Sequence, residues 1–424
     1  AATQFAIVAR GADGVDLMVE QLKSSDRDYF ETGLGVARVL PGEAATKALV
    51  DLLAAESSPG RQVLLIFAMK DRGDKQVLPA ALGKLESDAT AVRLAAIDAV
   101  GTLGDASAVP TLLAAAGSET AAAALDSLVA LEGADVNAAL VKAAKSPETA
   151  AVAVKALGQR RAKEAVDLFF QLSQSDSPAI REEAIVALGR TASEDRFLDL
   201  LGLLKSAGSD SEKKAVQEAI HGAIIRSTQP DVCAETLGPM IPAASGGARD
   251  FLFEQIRTAG GAKAVAWMRR FALGSDESLQ DAATKTLGEW LSADAGPVLL
   301  EVARGKGKFS NRAMGGYIRL FRQFELPEEQ RVAMAAKALQ VVTRPQERNA
   351  ALEAMMRFPC VGTFELALGE IKTKGSEATA AKATLTIART VRDLDPATAK
   401  AGLQKLIDAN ISPSVTAAAK QLLE

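Results

Sequence analysis

The sequence predicts an all-α fold, an α-solenoid of stacked helical hairpins, and three observations carry that prediction. Val92, Ala95, Ala96, Ala99, Val100 and Leu103 recur at i, i+3, i+4, i+7, i+8 and i+11, the stripe of a helix with a buried face. A Gly104-Asp105 break follows, and then a shorter stripe of Val109, Leu112, Leu113 and Ala116, with Pro110 in its first turn and Asp105 or Ser107 placed to cap it. The pattern then repeats at an interval of about 31 residues, with Gly73-Asp74 standing where Gly104-Asp105 stands one unit later. Helices this short and alanine-rich cannot bury enough surface alone, so each hairpin needs neighbours built like itself.

Taken in order, residues 1–25 read as an incomplete repeat. Phe5, Ala6, Val8 and Ala9 lie on one short helix, and Val15, Met18, Val19 and Leu22 on another. Regular repeats fill 26–208. The first has a helix ending near Pro41-Gly42-Glu43 and a second carrying Ala48, Leu49, Leu52 and Leu53. Gly133-Ala134-Asp135 marks a later turn, and Ala156-Leu157-Gly158 is read as the end of a helix. In the sixth unit Ile180, Ala184, Ala187 and Leu188 line one helix and Phe197, Leu200, Leu201 and Leu204 the next. Arg181 sits where Arg93 sits, one residue after the first large apolar position. Divergent repeats occupy 209–410, near 209–244, 245–274, 275–307, 308–342, 343–375 and 376–410, and 411–424 supplies one terminal helix. The whole of 1–424 is thus read as one array of about twelve hairpins.

Composition supports this and excludes several functions. The chain is 48% hydrophobic but 4% aromatic, so close helix approach supplies the packing. A net charge of −4 gives no general attraction for nucleic acid, which is not favoured as a partner. No apolar run reaches the roughly 20 residues of a membrane span. Cys233 and Cys360 are far apart and read as buried fillers, with neither a disulfide framework nor a zinc site. The first residue is Ala1, and an Ala-Ala start slightly favours a periplasmic or secreted setting over a cytoplasmic one. Asn410-Ile411-Ser412 matches a glycosylation sequon of the kind expected by chance in a chain this long.

The segments VRLAAIDAVGTLGDASAVPTLLAAA and IREEAIVALGRTASEDRFLDLLGLL resemble HEAT repeats, in particular the short bacterial type also found in phycobilin lyases. The resemblance is strongest over 58–208. It implies a right-handed superhelix with first helices on the convex side, second helices on the concave side, and a trade in binding other macromolecules.

The candidates for chemistry are few. One histidine, His221, cannot furnish the His-Glu pairs of a di-iron HEAT hydroxylase or a His-based zinc site. No GxSxG elbow accompanies it, and Gly33-Leu34-Gly35 lacks the third glycine and the strand of a dinucleotide loop. Trp267 and Trp290 sit at apolar helix positions and read as core. No catalytic, cofactor or metal residue is assigned. One stretch stands out: Arg304, Lys306, Lys308, Arg312, Arg319 and Arg322, interleaved with Phe309, Tyr317, Phe321 and Phe324 and free of acids between Glu301 and Glu325. It is a candidate partner-binding patch for an acidic or phosphate-bearing ligand, or else a solvated loop followed by an amphipathic helix. The expected function is a non-catalytic scaffold binding a protein across a concave face that includes Asp199, Lys205 and Glu301. The alternative is the accessory part of a larger exported bacterial enzyme.

Overall fold

The computed structural model describes residues 2–117 and 119–424. Among them the chain forms 27 α-helices, several preceded by a 3-10 turn, and no strand. It divides into two compact units, Ala1–Ala223 and Ile224–Glu424.

In the first unit the short helices Ala2–Val8 and Val15–Lys23 precede a series of hairpins. Arg27–Val39 pairs with Glu43–Ala55, Pro59–Arg72 with Leu78–Leu82, and Thr90–Leu103 with Val109–Ala115. The series continues with Ala121–Ala130 and Asp135–Ala143, Pro147–Gln159 and Val166–Leu172, then Pro178–Thr191 and Phe197–Ser206. The first helices pack on one another from hairpin to hairpin, and each also packs on the second helix of the hairpin before it. This explains the alanine content. Thr90–Leu103 buries not only its predicted stripe but also Ile97, on the opposite side, because Pro59–Arg72 and Ala121–Ala130 flank it. Leu112, Leu128, Leu140 and Leu188 are fully enclosed, each such side chain contributing roughly 1.5–3 kcal/mol.

The turns follow the chemistry of their residues. Gly73 adopts φ 69, open to glycine at little cost, and Asp74 accepts the Gln76 amide at 3.0 Å. At the equivalent turn Asp105 accepts the Ser107 amide at 2.9 Å. Gly104 there is extended, and a Cβ on it would lie 2.5 Å from the Val100 carbonyl oxygen. Gly158 corrects the sequence reading. The helix runs past it to Gln159, and the glycine serves a close helix crossing, since an added Cβ would meet that of Ala187 at 2.8 Å.

In the second unit Gly246–Ala259 pairs with Gly261–Ala272, Glu277–Gly288 with Gly296–Arg304, and Ser310–Gln323 with Glu328–Val341. Pro345–Met355 and Val361–Gly369 follow, then Glu377–Leu394 and Pro396–Ala409, and finally Pro413–Leu423. Alanine is joined by more aromatic side chains in this core. Trp290 is buried with its indole N–H donating to Asp294 at 2.9 Å, and Trp267 stacks on Phe271 at 5.6 Å between ring centres. Cys233 and Cys360 are buried thiols. The sequon residues have structural roles: Asn410, at φ 46, ends one helix and the Ser412 hydroxyl caps the next.

Candidate binding surface

Arginines join several hairpins to the last in two recurring ways. In the first, an arginine near the start of a first helix reaches back to the loop carbonyls before it. Arg181 donates to the Ser175 carbonyl at 2.8 Å, Arg348 to that of Val342 at 2.9 Å, and Arg93 to that of Ser87. The repeated placement of Arg93 and Arg181 thus has a cause: loop carbonyls outside any helix need a donor, and a guanidinium supplies it. In the second, an arginine near the end of a first helix clasps the end of the preceding first helix. Arg72 holds the carbonyls of Ala37 and Leu40 at 2.7 and 2.6 Å. Arg160 holds those of Leu128, Val129 and Leu131 at 3.2, 2.7 and 2.8 Å, and Arg319 those of Gly288 and Trp290 at 2.6 and 2.5 Å. Burial pulls the pKa of all three guanidinium groups below its ordinary value.

Ion pairs add a second set of links at about one repeat spacing. Arg38–Asp71 at 2.7 Å, Lys70–Asp98 at 2.6 Å and Lys155–Glu183 at 3.0 Å lie in the first unit. Arg269–Glu301 at 2.6 Å, Arg312–Asp281 at 2.7 Å and Lys308–Glu277 lie in the second. Exposed pairs of this kind contribute about 0–1 kcal/mol each.

These links sort the six cations of the 304–322 stretch. Lys308 is paired with Glu277, which raises its pKa chiefly through their hydrogen bond, and Arg312 is paired with Asp281. Arg319 is a clasp. Arg304, Lys306 and Arg322 are exposed and form no ion pair or hydrogen bond among the described residues. Phe309, Tyr317 and Phe321 are buried, and burial pushes the Tyr317 phenol up to about 12. The interleaved aromatics are therefore core, not stacking surface; Phe324 is half-buried beneath Arg319, 5.7 Å from the ring centre. Of the residues expected on a concave face, Asp199, Lys205 and Glu301 are all exposed. Arg196 holds Asp199 at 2.7 Å, and Arg269 holds Glu301 and keeps its carboxyl below the usual range.

A concavity of about 600 Å³ opens between the 305–309 loop and the 341–343 turn, and Arg304, Lys306, Asn311, Gln340 and Thr343 line it. Beside it lies a second of about 320 Å³, lined by Gly315, Ile318, the clasp Arg319, Arg322, Gln346 and Ala350. Asn311 and Glu347 border both. The two make one groove between Ser310–Gln323 and Pro345–Met355. Asn311, Gly315, Ile318 and Arg322 fall at i, i+4, i+7 and i+11, a helical stripe that sequence reasoning overlooked because it mixes polar, small and apolar residues. Among the described residues no group of three His, Cys, Asp or Glu side chains is placed to hold a metal ion, and no helix is long and apolar enough to cross a membrane. His221 is half-buried on Asp210–Arg226.

The HEAT-repeat family profile matches residues 46–132 and 134–221. The chain carries HEAT repeats. The matched segments hold the Gly-Asp turns, Arg93, Arg160 and Arg181, so the HEAT signature and the arginine links coincide there. None of the curated proteins matches the chain. Among solved structures it is similar to Kap121p bound to Nup53p, at 12% identity and a TM-score of 0.45, covering 96% of this chain and 52% of that one. The karyopherin Kap121p bound to the SUMO protease Ulp1p gives 11% identity and a TM-score of 0.46, covering 96% and 52%. Kap95p with RanGDP gives 13% identity and a TM-score of 0.39, covering 99% and 63%. The chain thus spans between half and two thirds of the length of these proteins.

Proposed function

We propose that the chain is a non-catalytic module that binds protein partners on the exposed faces of its stacked helices, and that the cations of 304–322 belong to its docking surface. The observation that carries this reading is surface in excess of need. The 44.2 kDa chain exposes 20845 Å², against roughly 18,700 Å² for two separate compact globules of half its mass. Hairpins that pack only on near neighbours leave a strip of every helix uncovered, and such strips bind macromolecules better than they enclose a substrate. Arg304, Lys306 and Arg322, unanswered by any acid of their own repeats, suit a partner that brings negative charge.

The test is affinity capture with the intact chain, beside a variant carrying Arg304→Glu, Lys306→Glu and Arg322→Glu. At least one protein held by the parent is expected to be lost by the variant, with an unchanged melting temperature. Recovery of every partner by the variant removes the patch from the docking surface. Turnover of a captured partner by the purified chain overturns the non-catalytic reading.

A further inference from the structure

We propose that the groove between Ser310–Gln323 and Pro345–Met355 is a docking channel for an extended acidic segment of a protein partner. The inference rests on the reading of the chain as a protein-binding module and adds the place and chemistry of one contact.

The charges set the length of the occupant. Arg304 and Lys306 border the groove where Ser310–Gln323 begins, and Arg322 borders it near the helix end. From Asn311 to Arg322 a helix rises about 17 Å at 1.5 Å per residue. An extended chain at about 3.4 Å per residue crosses that distance in about five residues. Asn311 beside the first cationic end thus lies about five extended residues from Arg322, and two carboxylates spaced that far apart suit both ends. The one acid on the wall, Glu347, does not compete, because Arg344 holds it at 3.0 Å. Between the ends the walls carry the uncharged side chains of Asn311, Gln340, Thr343 and Gln346, which make no hydrogen bond among the described residues. An amide side chain offers a donor and an acceptor together, the pairing an extended backbone presents.

The floor gives an independent argument. Gly315 and Gly316 lie side by side within one helix, and packing explains only the second. A Cβ on Gly316 would come 2.9 Å from the Gly288 Cα, so the crossing of two helices needs a glycine there. A Cβ on Gly315 would meet nothing within 4 Å, and the residue has helical backbone. Glycine inside a helix is destabilising by about 0.5–1 kcal/mol relative to alanine. Its presence at Gly315, opposite the exposed Ala350, keeps the channel floor bare. Nucleic acid is the weaker fit: the nearby aromatics Phe309, Tyr317 and Phe321 are buried and offer no face to a base.

The experiment uses the full chain and a fluorescein-labelled hexaglutamate peptide, read by anisotropy. Binding is expected to fall at least about tenfold, about 1.4 kcal/mol, when Arg304, Lys306 and Arg322 are changed to Glu. A similar fall is expected when Gly315→Leu fills the floor, with Ala350→Trp as a second block from the opposite wall. Gly315→Ala should weaken binding by less than Gly315→Leu, and Lys308→Gln with Arg312→Gln should leave binding within about twofold, because those two cations are already paired. A labelled peptide with glutamates only at positions one and six should outlast one with them at positions one and two. Equal losses from the paired and the unpaired cations would reveal a diffuse field and overturn the channel. So would full binding by folded Gly315→Leu and Ala350→Trp variants. Displacement of the peptide by an oligothymidine of equal charge, or by inorganic phosphate at equal concentration, overturns the choice of occupant. Failure of the unaltered chain to bind the peptide, with partner capture intact, sinks this inference and leaves the module reading standing; failure of the unaltered chain to do either sinks both.

Discussion

Residues 1–223 carry 31 acids against 23 lysines and arginines, whereas residues 224–424 carry 22 against 26. The two units use the same devices between repeats. Arg72 and Arg160 clasp helix ends in the first as Arg319 does in the second, and ion pairs at one-repeat spacing run through both. Their difference lies in what is left after those needs are met. Both units pack alanine; the first has surplus acid, while the second buries more aromatic side chains and leaves Arg304, Lys306 and Arg322 unanswered beside a groove. Charge available for a partner is the remainder after internal pairing, not the count in the sequence.

The comparison is broken most forcefully through the cores. Leu188→Ala in the first unit and Leu299→Ala in the second, both fully buried, should each cost about 2–5 kcal/mol. Amide hydrogen exchange should quicken mainly in the repeats of the mutated unit. Uniform quickening across both would make the two units one thermodynamic body. Next come the clasps. Arg160→Ala and Arg319→Ala each leave helix-end carbonyls without a charged donor, and a loss of about 1.5–3 kcal/mol is expected in urea unfolding. Lysine at either site should restore little, since it lacks the planar fork that spans several carbonyls. A large effect in one unit alone would show that the shared device is not shared in energy.

The sequence made the first unit's hairpins legible because alanine stripes keep strict helical period, and all six stripe residues from Val92 to Leu103 proved buried. Ile97 escaped because a helix flanked on both sides loses the one-faced pattern that periodicity detects. Arg93 and Arg181 were visible as a repeated residue, but their targets are backbone carbonyls, which have no letter. In the 304–322 stretch the six cations were legible and their sorting was not. Glu277 and Asp281 answer Lys308 and Arg312 from 31 residues away. The groove was hidden for a related reason: one of its walls, Gln346 to Ala350, belongs to the next hairpin.

Smaller effects sharpen the comparison further. Gly315→Ala should stabilise the second unit by about 0.5–1 kcal/mol, while Gly158→Ala should destabilise the first by about 1–3 kcal/mol through its crossing with Ala187. Thermal melts of the two variants check both signs. The smallest change concerns acid. Hydrogen bonds from the Thr46 hydroxyl to Asp74, and from Ser278 to Asp276, hold these carboxyls below their ordinary value of 3.8. A carboxyl lowered by folding stabilises the fold above its unfolded pKa and loses that contribution as pH falls through the folded value. Melting temperature should therefore drop below about pH 4, and Asp74→Asn with Asp276→Asn should flatten that drop.

The placement of Trp267 and Trp290 has an experimental consequence. Both tryptophans lie in the second unit, as do both cysteines. Indole emission and thiol labelling therefore see only that half melt, while circular dichroism at helical wavelengths sees the entire chain. Superimposed curves from the two spectroscopies would mean that the halves lose structure in concert; separated curves would time the silent half by subtraction.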